Sequence, residues 1–424
     1  MKLNYKRTYF VGLAFLSICA FWQMYDSIIP LILQNTFGLD ETVTGIVMSA
    51  DNVLALFLLP LIGSLSDKVD TKLGKRTPFI IGGTIAAIIS MLLLPYADST
   101  ENLILFVVAL GVTLVAMAMY RSPAVALMPD VTPKPLRSKA NAVINLMGAV
   151  GGVYALVLIS TSVNSGERPS YLYVFVGIAL IMILSVIILV FTTKEKLIAE
   201  QIAKEYPEET KKEQFLESRS LDSKVQRSLN LILISIFLWF MAYNAVTTAF
   251  SRYATEVWGL TGGSFADCLM VATVAAILSY IPIGILSSKY GRKKCILLGI
   301  ILMFASYIFA FSLSEYHAII NVGFAVIGIG WAAISVNSLP MVVEMSKGSD
   351  IGKYTGLYYT FSMAAQIATP ILSGVLLQYI SYRTLFPYAA TFMAIAFVTM
   401  YLVKHGDSIP ERKESLLENF DVED

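Results

Sequence analysis

The chain has very little histidine or cysteine: two histidines and three cysteines in 424 residues. His317 and His405 fall outside the apolar runs, and Cys19, Cys268 and Cys295 are scattered and odd in number. That excludes a disulfide framework and any Cys-x-x-Cys metal site, so no metal and no cofactor is expected. No HExxH, GxSxG or GK[ST] segment is present, so an enzyme is not expected. Charge is scarce as well: 14% of residues are charged and 56% hydrophobic, where a soluble domain carries about 25% charge. The formal net charge is +1, so no broad electric field points to nucleic acid.

What the chain has instead is long apolar runs. About twelve are long enough to cross a hydrocarbon core at 1.5 Å per helical residue. They read as Thr8–Gln34, Thr42–Leu65, Pro78–Pro95, Asn102–Pro129, Arg137–Thr161 and Tyr171–Phe191, then Leu229–Val257, Ser264–Ser287, Cys295–Leu313, Ala318–Glu344, Lys353–Tyr379 and Arg383–Val403. The first run extends to about Leu33, too long for a signal peptide's apolar core, and no small-x-small cleavage site follows. It reads as the first membrane helix.

The few charges are sorted by position. With the N-terminus inside and the spans alternating, Lys2, Lys6, Arg7, Lys68, Lys72, Lys75, Arg76, Lys134, Arg137 and Lys139 are cytoplasmic. So are Lys289, Arg292, Lys293, Lys294, Lys347, Lys353, Lys404, Arg412, Lys413 and every cation of 192–228, leaving only Arg121, Arg168, Arg252 and Arg383. This asymmetry puts both termini in the cytoplasm of a cell membrane. The mixed-charge stretch 192–228, with Glu208, Glu209, Lys211 and Lys212, reads as a solvated tether carrying one or two short surface helices, the alternative being a regulatory site. The acidic tail, with Glu418, Asp421, Glu423 and Asp424, reads as disordered. The organisation is therefore a six-helix bundle over 1–191, a linker over 192–228, a second bundle over 229–403 and a tail over 404–424.

The two halves repeat. Pro60-Leu-Ile-Gly63-Ser-Leu-Ser-Asp67-Lys68 leads to Gly74-Lys75-Arg76, and Pro282-Ile-Gly284-Ile-Leu-Ser-Ser288-Lys289 leads to Gly291-Arg292-Lys293-Lys294. Tyr25-Asp26 in the first span is echoed by Tyr243-Asn244 in the seventh. Duplicated halves with a solute site between them suit alternating access.

These loops resemble the G-x3-D-[RK]-x-G-[RK]-[RK] signature of the major facilitator superfamily. The resemblance implies an all-α membrane protein of twelve transmembrane helices in two pseudo-symmetric six-helix bundles. In a hinge of this kind Gly63, Gly74, Gly284 and Gly291 let helix ends approach, while Asp67, Arg76 and Arg292 cap and pair across them. The first copy has a longer gap, filled by Val69–Leu73, and the second has Ser288 in place of the acid. The longer gap followed by Gly74-Lys75-Arg76-Thr77-Pro78-Phe79 resembles the glycoside and sucrose–cation symporter branches. So do Arg121-Ser-Pro123-Ala-Val-Ala-Leu127-Met-Pro129-Asp130 and Gly328-Ile-Gly330-Trp331-Ala332. Melibiose-type symporters carry cation-binding aspartates in their second and fourth spans; here the fourth-span position holds Arg121.

Ionisable groups inside spans cost roughly 2.5–3.5 kcal/mol each on insertion scales and so face protein or a wet cavity. Asp26, Asp51 and Arg121 are the three candidates for ion coupling. An aspartate in apolar surroundings can act as the proton acceptor, answering to Arg121 or to sugar hydroxyls; the plainer reading is a static ion pair that fixes helix packing. Trp22, Gln23, Tyr25, Tyr120, Asn141, Asn145, Tyr243, Asn244, Trp331, Asn337, Tyr358, Tyr359 and Gln366 offer the ring faces and amides that hold a sugar. Each is equally able to serve as ordinary packing. Asp130 and Glu344 end the fourth and tenth spans, where acids oppose the helix dipole and call for cations; pairing with Arg76 and with Arg292 or Lys293 would latch the outward-facing state.

The leading expectation is a monomeric secondary transporter that couples a sugar or glycoside to protons, or to sodium, with coupling in the first half and substrate contacts mainly in the second. The alternatives are an exporter or carrier of another small metabolite or a cationic drug, and a non-transporting membrane sensor, for which 192–228 is too small to be an output domain.

Overall fold

The structure, a computed structural model, describes residues 3–133, 136–165, 169–205, 223–345 and 351–407. Several residues placed above by charge lie outside that set: Lys2, Lys134, Arg168, Glu208, Glu209, Lys211, Lys212, Lys347, Arg412, Lys413 and the four acids of the tail.

Long apolar runs with no water to satisfy their backbone must become helices. Those of the first half are α1 (Tyr5–Asn35), α2 (Glu41–Asp67), α3 (Thr77–Ser99), α4 (Leu103–Asp130), α5 (Arg137–Ser162) and α6 (Leu172–Thr192). A short helix, α7 (Glu195–Glu205), follows. The second half holds α8 (Ser223–Glu256), α9 (Phe265–Tyr290), α10 (Arg292–Ser312), α11 (Ile320–Glu344), α12 (Ile351–Tyr379) and α13 (Leu385–Leu402). Among the described residues twelve helices, all but α7, are long and apolar enough to cross a membrane. The ends are set by local chemistry: Asn4 and Asn102 accept amide hydrogens in the first turns of α1 and α4, and Pro78 sits in the first turn of α3, where its missing N–H costs nothing.

The chain forms two compact units, Met1–Gly38 with Asp51–Phe215, and Leu39–Ala50 with Leu216–Asp424. In the first unit α1 packs on α5 and α6, while α3 packs on α4 and α6. In the second, α8 packs on α12 and α13, while α10 packs on α11 and α13. The same pairing scheme appears twice, so the sequence repeat is a structural one. The units depart from an even division of the chain at one place: the first ten residues of α2 group with the second unit.

The first part of the expected tether is not solvated. Glu195, at the start of α7, is 2% exposed. Its carboxylate accepts the backbone amides of Lys75, Arg76 and Thr77 at 2.8, 2.9 and 2.9 Å and the Thr77 hydroxyl at 2.8 Å. It thereby caps the N-terminus of α3, where an anion meets the positive end of the helix dipole. Gly74 has φ +114°, and any side chain there would overlap the Glu195 carboxylate. Lys196 pairs with Asp70 at 2.7 Å, and that carboxylate holds the ammonium pKa above its usual value. The residues that lengthen the first loop are thus part of the surface on which α7 docks. The second unit repeats the device from its own C-terminal segment: Asp407 accepts the Lys293 amide at 2.8 Å beside Gly291, whose φ is +93°. Glu195→Ala removes the acceptor from three backbone amides, those of Arg76 and Thr77 buried, and is expected to destabilise the protein by about 1–3 kcal/mol. Thermal unfolding in detergent measures this; an unchanged melting temperature would show that the cap contributes nothing.

Candidate functional site

Ionisable and aromatic groups gather in the interior of the first unit. From α1 come Trp22, Gln23, Tyr25 and Asp26, from α2 Asp51 and Asn52, and from α4 Arg121. Asn52 Nδ2 donates to Asp51 Oδ1 at 2.8 Å. Asp51 lies within electrostatic range of both Asp26 and Arg121. The Arg121 guanidinium sits over the Trp22 ring at 5.8 Å, and Trp22 meets Tyr25 edge-on at 5.4 Å. Among the described residues none of Asp26, Asp51 and Arg121 is in a salt bridge, so no static ion pair locks the cluster. The Trp22 indole N–H and the Tyr25 hydroxyl are buried and have no hydrogen-bond partner, although Tyr25 lies within range of both carboxylates. Buried donors are rarely left unmade, because each costs about 1–3 kcal/mol, so these two mark a place where a ligand or a rearranged carboxylate can bond. With both carboxylates ionised the trio carries one negative charge in excess, and a single added cation or proton neutralises it.

Two expected contacts look different in place. Tyr120 is fully buried, with its hydroxyl 2.7 Å from Ser17 Oγ and donating to the Ala14 carbonyl at 3.2 Å. It ties α4 to α1, and its hydroxyl is engaged within the protein. Gln23 donates to Ser27 on its own helix at 3.3 Å, facing α5 at Gly152. Asn145 is half-buried on α5. Tyr120→Phe should therefore leave the KM for solute unchanged and lower stability by about 1 kcal/mol; a raised KM with an intact fold would return Tyr120 to the substrate site.

The second unit holds an aromatic cluster. Tyr243 on α8 and Trp331 on α11 stack at 3.8 Å with 4° between their planes. Phe240 meets Trp331 edge-on at 5.3 Å and Tyr358 at 6.4 Å, and Tyr358 meets Tyr359 edge-on at 5.5 Å. Asn244 Nδ2 is buried without a partner beside Tyr243. Asn337 is 1% exposed and its Nδ2 donates to the Ala333 carbonyl at 2.9 Å, so it belongs to the wall of α11 and not to an open face. Gln366 is half-buried on α12. Phe240 was missed because a phenylalanine in an apolar run is indistinguishable from core; its spacing of three from Tyr243 was the available signal.

At the loop ends the charged residues pair within each unit. Arg76, 5% exposed, bonds Asp130 at 2.9 Å, the Gly63 carbonyl at 3.3 Å, Ser66 and Asp67, and Lys75 adds a 3.2 Å pair to Asp130. In the second unit Arg292 pairs with Glu344, while Lys293 Nζ is held by the Tyr401 carbonyl at 2.8 Å. Gly284 accepts the Ser287 hydroxyl at 3.0 Å within the last turns of α9. The expected partners are all here, yet each pair closes inside one bundle and fixes its own helix ends. Glu195 and Asp407 complete these clusters and were not foreseen. The signal was an acid shortly after the last span of each half.

A family model described as MFS/sugar transport protein matches residues 11–404. The chain is 27% identical over 147 residues to a sucrose transport protein, SUC4, of Arabidopsis thaliana, covering 31% of this chain and 29% of that one. It is 30% identical over 122 residues to an MFS-type transporter, ppzB, of Metarhizium majus (strain ARSEF 297), covering 28% and 26%. The matched stretches thus span less than a third of the curated relatives' length. Among solved structures it is similar to the xylose transporter XylE of E. coli in an inward open conformation, with a TM-score of 0.70 at 13% identity over 99% of both chains. A peptide transporter, POT, gives 0.71 at 13% over 95% of both. At such identities these likenesses establish the fold.

Proposed function

The chain belongs to the MFS/sugar transport family, and from that premise we propose that it is a secondary active transporter that takes a sugar or glycoside across the membrane together with a proton, by alternating access. It is a multi-pass membrane protein and a transporter, not an enzyme. The observation that carries the coupled reading is the Asp26–Asp51–Arg121 cluster, whose charges are not consumed by a salt bridge and stand beside two buried, unpartnered donors. A carboxylate that must bind and release a cation within a cycle has to be free of a permanent ion-pair partner, and among the described residues both are. Asp26 is assigned as the proton carrier, with Asp51 and Arg121 setting the local charge.

The second unit supplies the surface for the solute. Sugars present an apolar C–H face and a rim of hydroxyls, which suits ring faces beside amides; Tyr243, Trp331 and Phe240 are the former and Asn244 the latter. The similarity to a sucrose transport protein accords with this chemistry. The distribution of lysine and arginine supports cytoplasmic termini. The Arg76 and Arg292 clusters act as rigid joints that keep each bundle intact as it moves.

The test is counterflow. Proteoliposomes preloaded with unlabelled sucrose, or with an aryl glucoside, should take up the labelled solute transiently with no imposed gradient. If neither they nor a wider set of sugars exchanges, while an amino acid or a cationic drug does, the solute assignment fails.

A further inference from the structure

Four of the spans end on an acid: α2 at Asp67, α4 at Asp130, α8 at Glu256 and α11 at Glu344. A carboxylate there meets the negative end of the helix dipole and calls for a cation. Asp67 and Asp130 share Arg76, and Glu344 has Arg292. Of the four, only Glu256 forms no salt bridge among the described residues. The cation one turn before it on α8, Arg252, is spent on Glu41.

Arg383 has the opposite problem. It stands two residues before the start of α13 at Leu385, so its charge lies at the positive end of that helix. Its guanidinium sits over the Phe311 ring at 5.6 Å and donates to the Phe311 carbonyl at 3.4 Å. It too has no acidic partner among the described residues. Two exposed charges of opposite sign, each at the helix end that disfavours it, are thus left unneutralised by the fold.

Both line one cleft of the second unit, at the end of the spans away from the Arg292 cluster. Its volume is about 550 Å³, inside the range of roughly 300–1,000 Å³ that holds small molecules. Val257, Leu377 and Ile380 give the cleft an apolar part, and Gln378 lines it as well. Gln378 is fixed in place, because its Oε1 accepts the Thr42 amide at 3.1 Å and the Thr42 hydroxyl. Its Nε2 hydrogens remain available. The cleft therefore offers one anionic acceptor, a guanidinium and an amide as donors, and an apolar wall. A neutral solute neutralises neither charge, and a simple ion only one. A zwitterion answers both, and brings to each helix end the sign that its dipole favours.

We propose that this cleft binds a free amino acid with an apolar side chain. Its ammonium sits on Glu256, its carboxylate on Arg383 and Gln378, and its side chain against Val257, Leu377 and Ile380. The site involves neither the Asp26–Asp51–Arg121 cluster nor the Trp331 cluster, and it does not depend on which solute is transported.

Binding of radiolabelled L-leucine to the full chain in lipid nanodiscs tests this by scintillation proximity. Unlabelled L-leucine should displace the label. Leucinamide, which lacks the carboxylate, and 4-methylpentanoate, which lacks the ammonium, should each need about tenfold more. Glu256→Gln and Arg383→Gln should each weaken L-leucine by about tenfold. Glu256→Gln should also erase the preference over 4-methylpentanoate, and Arg383→Gln the preference over leucinamide, a pattern that general loss of structure does not produce. Trp331→Ala should leave L-leucine binding unchanged. Absence of saturable binding, half-ligands that compete as well as L-leucine, or binding lost in Trp331→Ala but kept in Glu256→Gln overturns the site. Sugar counterflow on the same protein is read separately. A chain that binds L-leucine in this pattern yet exchanges no sugar keeps the site and loses the transport reading. A chain that exchanges sugar and binds no L-leucine does the reverse.

Discussion

Asp26→Asn is expected to abolish accumulation of sugar against its gradient and to leave downhill exchange measurable. Asparagine keeps the shape of the side chain and its hydrogen-bonding capacity but cannot take up a proton. The substitution therefore removes the coupled step without collapsing the site. At one proton per solute, a pH difference of one unit supports about tenfold accumulation, since each tenfold ratio corresponds to about 1.4 kcal/mol. In the variant that ratio should fall to about one, while counterflow remains. The measurement is labelled sugar uptake into proteoliposomes with and without an imposed pH gradient. Accumulation that survives in Asp26→Asn moves the proton to Asp51 or removes it from this cluster. Asp51→Asn serves as the comparison, because Asp51 already accepts a hydrogen bond from Asn52 whereas Asp26 has no hydrogen-bond or ion-pair partner among the described residues.

Trp331→Ala is expected to raise the KM for sugar by roughly tenfold to a hundredfold, with a smaller effect on the maximal rate. Two losses add here: the face of Trp331 itself, and the support that holds Tyr243 flat against it at 3.8 Å. Removal of a large buried aromatic is worth about 1.5–3 kcal/mol of contact, and every 1.4 kcal/mol is tenfold in affinity. Trp331→Phe keeps a ring for Tyr243 and should recover most of the affinity. Concentration-dependent uptake separates the outcomes. A lowered maximal rate at unchanged KM would make Trp331 a packing residue of α11 and remove the stacking surface from the solute site.

The twelve spans were legible because membrane insertion admits only one solution for an apolar run of that length. The Arg76 and Arg292 clusters were legible too, since the loop motif names their members and a helix-ending acid needs a cation. Other features depend on which way a side chain points, and an apolar helix hides that. Tyr120 and Arg121 are neighbours in sequence yet stand about 100° apart around α4. One hydroxyl is consumed by Ser17 and Ala14, while the other residue's guanidinium reaches Trp22. Alternation of polar and apolar positions, which would have separated them, does not exist in a helix that is apolar on every side. Glu195 was hidden for a different reason. Its partners at 75–77 lie about 120 residues away, and a mixed-charge segment reads as solvated unless the far end of the contact is known. Glu41 and Arg252 share that difficulty: charge sorting leaves Arg252 over as an exception on the wrong side, without saying what it faces.

Joint movement of solute and proton can be followed through the interior pH. Proteoliposomes enclosing a pH-sensitive dye, with no initial pH difference, are given an inward sugar gradient, and interior pH is followed across a panel of sugars, amino acids and cationic drugs. Acidification of the interior is expected on addition of a transported sugar, abolished by Asp26→Asn and by a protonophore. Sugar entry with no change of interior pH, or proton movement elicited only by a cationic drug and in the opposite direction, would contradict it.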